Sequence, residues 1–177
     1  MKTLLNVLLL FGFVGLGHTQ NQDLEVLKAL ALENANTTTK ATLDGDYATV
    51  IKHTLPSVVN LMGTPEEAVA YVEETFNGMK AQGFAFEKSE VLSVSDVVFE
   101  QEQYRCYVQS FHQMRFNGKL IKSKSCMLGI YNEADKFWCF LEAKELKNIG
   151  LQEMVLPDFE TSLEIPDDEM VSEDIKE

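Results

Sequence analysis

The sequence predicts an α+β fold, and three observations carry that expectation. Apolar residues recur at helical spacing as far as Gly83. From Phe84 onward they give way to runs rich in aromatic and β-branched residues, which favour strands. Those runs are joined by turn residues, Asn117-Gly118 above all, rather than by helical stretches. Helices followed by consecutive antiparallel strands make an α+β domain rather than alternating βαβ units.

The elements follow in order. Lys2 and the 13-residue apolar run 4–16 precede Gly17-His18-Thr19, a pattern that fits a leader cleaved before Gln20. The run is shorter than the roughly 17–25 residues a spanning helix needs. The expectation is a mature chain that is secreted or periplasmic, with no membrane span. Leu24, Leu27 and Leu30 or Ala31 begin a helix. The tract Asn34-Ala35-Asn36-Thr37-Thr38-Thr39 is poor in helix formers, so a break or linker is expected there. Tyr47, Val50, Ile51, Thr54, Leu55 and Val58 form the next apolar face, with a kink or restart at Pro56. His53 projects away from that face and is expected in solvent. Thr64-Pro65-Glu66-Glu67 combines an N-cap, a first-turn proline and a capping box. Its helix should bury Ala68, Val72, Phe76 and Met79 and end at Gly83.

Strands are expected over 84–99, 104–116, 119–131 and 137–143, with Asn117-Gly118 as a two-residue turn and 132–136 as a longer loop. That register places Cys106 opposite Gly129 and Gly129 opposite Cys139, too far apart for a disulfide. The three cysteines are therefore expected free and buried. Tyr107, Gln109, Phe111, Trp138, Phe140 and Glu142 fall on one face, and Cys106, Val108, Ser110 and His112 on the other. Both faces are apolar enough to need cover. Helices can cover one, and a partner subunit in a homodimer, or the C-terminal segment, the other.

Composition narrows the function. The 177 residues, 45% hydrophobic and 24% charged, suit one globular domain. A net charge of −13 argues against nucleic acid as a partner. Residues 158–177 hold nine acidic residues against Lys176 alone, so 167–177 is expected to be an acidic, disordered tail. No zinc spacing, phosphate loop or nucleophile-elbow motif is present. No cofactor or metal is expected.

Asp44-Gly45-Asp46-Tyr47, Thr54-Leu55-Pro56, Gly63, the glutamate-rich helix ending at Gly83, and Trp138-x-Phe140-x-Glu142 form a pattern. With the closing LPDF and LEIP segments, it resembles a group of small secreted bacterial proteins of the nuclear transport factor two-like, or cystatin-like, superfamily. The resemblance covers roughly residues 37–166. It implies N-terminal helices packed into a strongly curved, cone-shaped sheet of about four or more strands, with the Trp138–Phe140–Glu142 face turned inward. The domain organisation is then a leader over 1–19, an N-terminal helix or linker over 20–36, the cone over 37–166 and the tail over 167–177. The implied pocket contains Tyr47, Tyr107, Gln109, Trp138, Phe140 and Glu142.

Such a pocket fits a small apolar ligand. The expected function is non-enzymatic binding of a small molecule or protein partner. The alternative is an isomerase or hydrolase using Glu142 as a base. Against it, Glu142 has a structural reading beside Lys124 or Gln109, and both histidines are placed away from the pocket. A protease inhibitor, suggested by cystatin-like shape alone, lacks an evident inhibitory loop.

Overall fold

The computed structural model describes residues 16–175, with side chains from residue 23. Most of the leader expected over 1–19 lies outside the described residues. Four helices come first: α1 (Leu16–Asp44), α2 (Tyr47–Lys52), α3 (Pro56–Met62) and α4 (Pro65–Ala81). The strands are β1 (Ala85–Val94), β2 (Val98–Glu100), β3 (Gln103–Phe116), β4 (Lys119–Asn132) and β5 (Phe137–Glu142). A 3-10 turn (Ala143–Lys147), α5 (Ile149–Val155) and β6 (Glu169–Asp174) complete the chain. The six-stranded antiparallel sheet runs β1-β3-β4-β5, with β2 on β3 and β6 on β4. The fold is thus α+β, with the N-terminal helices packed on an antiparallel sheet. Among the described residues no helix is long and apolar enough to cross a membrane.

The expected break at 34–39 does not occur, and α1 runs through it. Thr37, Thr38 and Thr42 return their hydroxyls to the carbonyls four residues back, which satisfies them without leaving the helix. Ala31 and Ala35 are fully buried against Cys106, Val108, Trp138 and Phe140. Burial of that small-residue stripe outweighs the weak local propensity. Asn34 also has a tertiary role. Its Oδ1 accepts the Trp138 backbone N–H at 2.8 Å, while the Trp138 indole donates to the Leu27 carbonyl at 3.0 Å.

At Pro56 the chain restarts, because proline occupies the first position of α3. Residues 53–55 close the free edge of β5. Phe140 N–H donates to the His53 carbonyl at 2.7 Å, and Leu55 N–H donates to the Phe140 carbonyl at 3.1 Å. The edge strand is thereby sealed at both backbone polar groups of Phe140, and the His53 ring takes the Trp138 carbonyl. Thr64 and Glu67 form the reciprocal capping box expected at the start of α4.

Asn117 (φ 49°) and Gly118 (φ 72°) make the tight β3–β4 turn, and Cys106 does face Gly129. The next connection is one residue shorter than expected. Asn132 pairs with Phe137, leaving 133–136 as the loop. Asn132 Oδ1 accepts the N–H groups of Ala134 and Asp135, and Lys136 turns the chain at φ 61°. A one-residue change in register reverses which face each side chain takes. Gly129 therefore faces Phe140, and Cys139 lies on the opposite face from Cys106. Two register shifts in β1, after Phe86 and after Val91, bend that strand.

On the inner face, toward the helices, lie Cys106, Val108, Trp138 and Phe140. Leu128, Ile130, Cys139 and Leu141 lie on the outer face, beneath Val155, Leu156, Phe159, Leu163 and Ile165. The C-terminal segment thus supplies the outer cover. Arg105 clamps it: the buried guanidinium donates to the Glu160 carbonyl at 2.8 Å and lies over the Phe159 ring. Glu100 accepts from Ser162 N–H and Thr161 Oγ1, each at 2.8 Å.

The acidic end does not behave as a solvated tail throughout. Residues 169–174 pair with β4 residues 119–124. The physical reason is a vacancy and a charge match. β5 occupies only residues 127–132 of the same β4 edge. Beyond it stand Lys119, Lys122 and Lys124, which meet Asp174, Glu173 and Glu169 at 3.7, 2.7 and 3.2 Å. Asp168 takes the intervening Cys126 N–H at 3.1 Å. Every residue of β6 is nonetheless exposed.

Candidate functional site

A cavity of about 730 Å³ lies between the helices and the inner sheet face. Its apolar lining includes Tyr47, Phe76, Phe86, Met114 and Phe140. Asp46 caps α2 by accepting the Thr49 N–H, which fixes the start of the helix and with it the adjacent Tyr47. Tyr47 stacks on Phe76 with centroids 5.3 Å apart, and Phe76 in turn approaches Phe84 and Phe86. Offset aromatic contacts of this kind hold rings rigidly beside open space.

Titratable groups also line the cavity: Glu142, Asp168, His53 from the end of α2, and His112, whose ring lies 6.3 Å from that of Phe86. Among the described residues Glu142 Oε2 is buried without a hydrogen-bond partner, though the side chain as a whole is partly exposed. Lys144 Nζ stands 4.0 Å from it, beyond hydrogen-bond range. Burial raises the Glu142 carboxyl above its ordinary range. Lys144 opposes that shift, and Asp168 and Glu145 add to it. His112 shares a 2.7 Å hydrogen bond with Ser89 through Nδ1. Burial lowers its pKa, against the pull of Asp168. His53 Nδ1 meets the Trp138 carbonyl at 2.8 Å, so this nitrogen carries the proton.

The expected pocket residues separate into two groups. Tyr47, Phe140 and Glu142 line the cavity. Trp138 is on the same face but lies fully buried in the core beneath α1, not at the cavity wall. Tyr107 and Gln109 point to the outer face, opposite Leu128 and Cys126. The expected Lys124 and Gln109 partners of Glu142 are also reassigned, since Lys124 pairs with Glu169. The cause is the shorter loop at 133–136, which moves β5's even-numbered residues onto the His112 face. His53, expected in solvent, is 5% exposed. The helix it was projected from ends at Lys52, so a helical projection no longer applies at 53.

Two sequence features carry signals for what was missed. Asn132 followed by Asp135 is the residue chemistry of a side-chain-capped turn, which shortens the loop and turns Glu142 onto the sheet face that carries His112. Pro56 marks a new helix start, so the preceding turn must end before His53. Nothing local announces Asp168, whose place depends on β6 pairing.

The three thiols are free. Burial pushes Cys106 up to about 12 and Cys139 to about 11, and raises Cys126 as well. Such thiols pack as small hydrophobes and are poor nucleophiles. Among the described residues no group of His, Cys, Asp or Glu is arranged to hold a metal ion. No protein-family model matches the chain, and no curated protein is similar to it at a significant level.

Proposed function

We propose that this chain is a binding domain that takes a small, mainly apolar molecule between its helices and its sheet. The observation that carries the reading is the 730 Å³ cavity, whose surface is mainly apolar and includes the rings of Tyr47, Phe76, Phe86 and Phe140. That volume and lining suit a small organic ligand. The resemblance to the cystatin-like superfamily supports the reading, since such folds hold ligands between helices and sheet. The leader pattern at 1–19 supports a site of action outside the cytoplasm, which N-terminal sequencing of the purified protein tests. Binding is tested with the uncharged fluorophore N-phenyl-1-naphthylamine. Saturable enhancement is expected with the native protein and loss of it with Met114→Trp, which fills the cavity, at unchanged far-ultraviolet circular dichroism. Native mass spectrometry of protein from its source reads retained ligand and oligomeric state together. Absence of both saturable probe binding and any retained mass overturns the proposal.

A second reading is acid–base catalysis on the bound molecule. It rests on one specific observation: Glu142 and His112 face the same cavity. Their shifts run in opposite directions: burial raises the carboxyl and lowers the imidazole. Turnover that is lost in Glu142→Gln while the probe still binds would favour this reading over simple binding.

A further inference from the structure

We propose that β6, with Asp168 before it, is a hinged flap that forms one wall of the cavity and lifts to let the ligand in and out. The inference rests on the binding reading above and adds the route of entry and its control. The lining shows where the cavity meets solvent. Lys124, Lys144, Asp168, Glu169 and Met170 are exposed, whereas every other lining residue is buried or half-buried. Asp168, Glu169 and Met170 belong to the flap, and Lys124 is the β4 residue that Glu169 pairs with. Met170, opposite Ser123, lines the cavity and is yet 74% exposed. A residue that faces both sides makes a wall one side chain thick.

The flap is also the part of the wall that is free to move. β6 pairs with β4 alone, all its residues are exposed, and none of them joins a hydrophobic cluster. Elements with so little buried apolar contact open at the lowest cost. The pairs to Lys119, Lys122 and Lys124 lie in water, where salt screens them. The adjoining wall is held differently. β5, whose Phe140 and Leu141 line the same cavity, has its edge sealed by residues 53–55 and its side chains in the core. Ahead of the flap, Ile165 packs on the outer core and Asp167 is paired with Lys147. The chain is therefore anchored as far as Asp167, and the hinge falls between Asp167 and Asp168.

Stopped-flow mixing with N-phenyl-1-naphthylamine reads entry. The probe is uncharged, so salt has no charge on it to steer. With the native protein the entry rate should rise about three- to tenfold between low salt and about 0.5 M sodium chloride, as the exposed pairs are screened. Ile121→Cys with Ser172→Cys gives a lock, since the two residues are directly opposite and neither lines the cavity. Opposed strand residues lie about 4.5–5.5 Å apart, within reach of a disulfide. Oxidation of this variant should slow entry and exit alike and abolish the salt dependence, with affinity at equilibrium held within a few-fold. Dithiothreitol should restore both rates. Lys122→Gln, also outside the lining and checked by thermal melting, should speed entry at low salt. Equal rates in the oxidised and reduced lock, a pair that does not oxidise, or salt-independent entry into the native protein overturns the flap while leaving the cavity reading in place. So does a lock that abolishes affinity instead of slowing exchange. Failure of the probe to bind the native protein removes the binding reading, and this inference with it.

Discussion

Asn34→Ala is the substitution that most directly tests how α1 is held on the sheet. Asn34 sits in a helix that local propensity disfavours, and its Oδ1 is the acceptor for the Trp138 N–H at 2.8 Å. Trp138 is 0% exposed, so loss of that acceptor leaves a backbone donor with no water to replace it. An orphaned buried donor costs about 1–3 kcal/mol. Alanine in place of asparagine returns roughly 0.5 kcal/mol of helix propensity. The net expectation is a loss of about 1–2 kcal/mol, given that orphaning cost. For a chain of this size the corresponding fall in Tm is about 2–8 °C. Asn36→Ala is the internal control. Asn36 is exposed and bonds only the Leu32 carbonyl of its own helix, so its replacement should be neutral or slightly stabilising. Urea titration of the three proteins measures both differences. Equal effects at 34 and 36 would refute the argument that β5, rather than local sequence, requires the polar residue in α1.

Arg105→Met should release the C-terminal strap. The charge-assisted bond to Glu160 is worth about 1.5–3 kcal/mol, and limited proteolysis between 156 and 165 should accelerate. For Glu142 the pKa is raised on folding, so its contribution is fully present below the ordinary value of 4.5 and is lost as pH rises through the folded value. Glu142→Gln should therefore be more stable than the native protein at alkaline pH and indistinguishable from it in acid, by thermal melting. Partial exposure of the side chain keeps the gap small. Amides of β6 should exchange with solvent faster than those of β5, and faster still in high salt, because its three lysine pairs are exposed and screened. Salt-independent exchange at 169–174 would show that charge does not hold this strand.

Much of the scaffold was legible because its signals are local. The capping box at Thr64, the restart at Pro56 and the Asn117-Gly118 turn each depend on residues within about one turn of one another. The register of β3 on β4 follows from that turn alone. The site was less legible because it lies two connections further along. A loop of four residues rather than five exchanges the faces of β5, and with them the neighbours of Glu142. Tyr107 and Gln109 left the cavity, and His112 entered it, through that single residue of length.

Taken alone, the chain determined its class and the succession of helices as far as Gly83 with antiparallel strands after it, since these follow from periodicity and turn chemistry; the cysteines are free as expected, but Cys139 lies on the opposite face from Cys106. Only tertiary structure decided that Asn34 belongs in a helix, that His53 is buried and that the acidic end becomes a strand. In each case a distant partner satisfies a group that local rules would leave in solvent: the Trp138 N–H, the Trp138 carbonyl and the lysines of β4. Sequence neighbours cannot report such partners, because the contacts span 104, 85 and up to 55 positions.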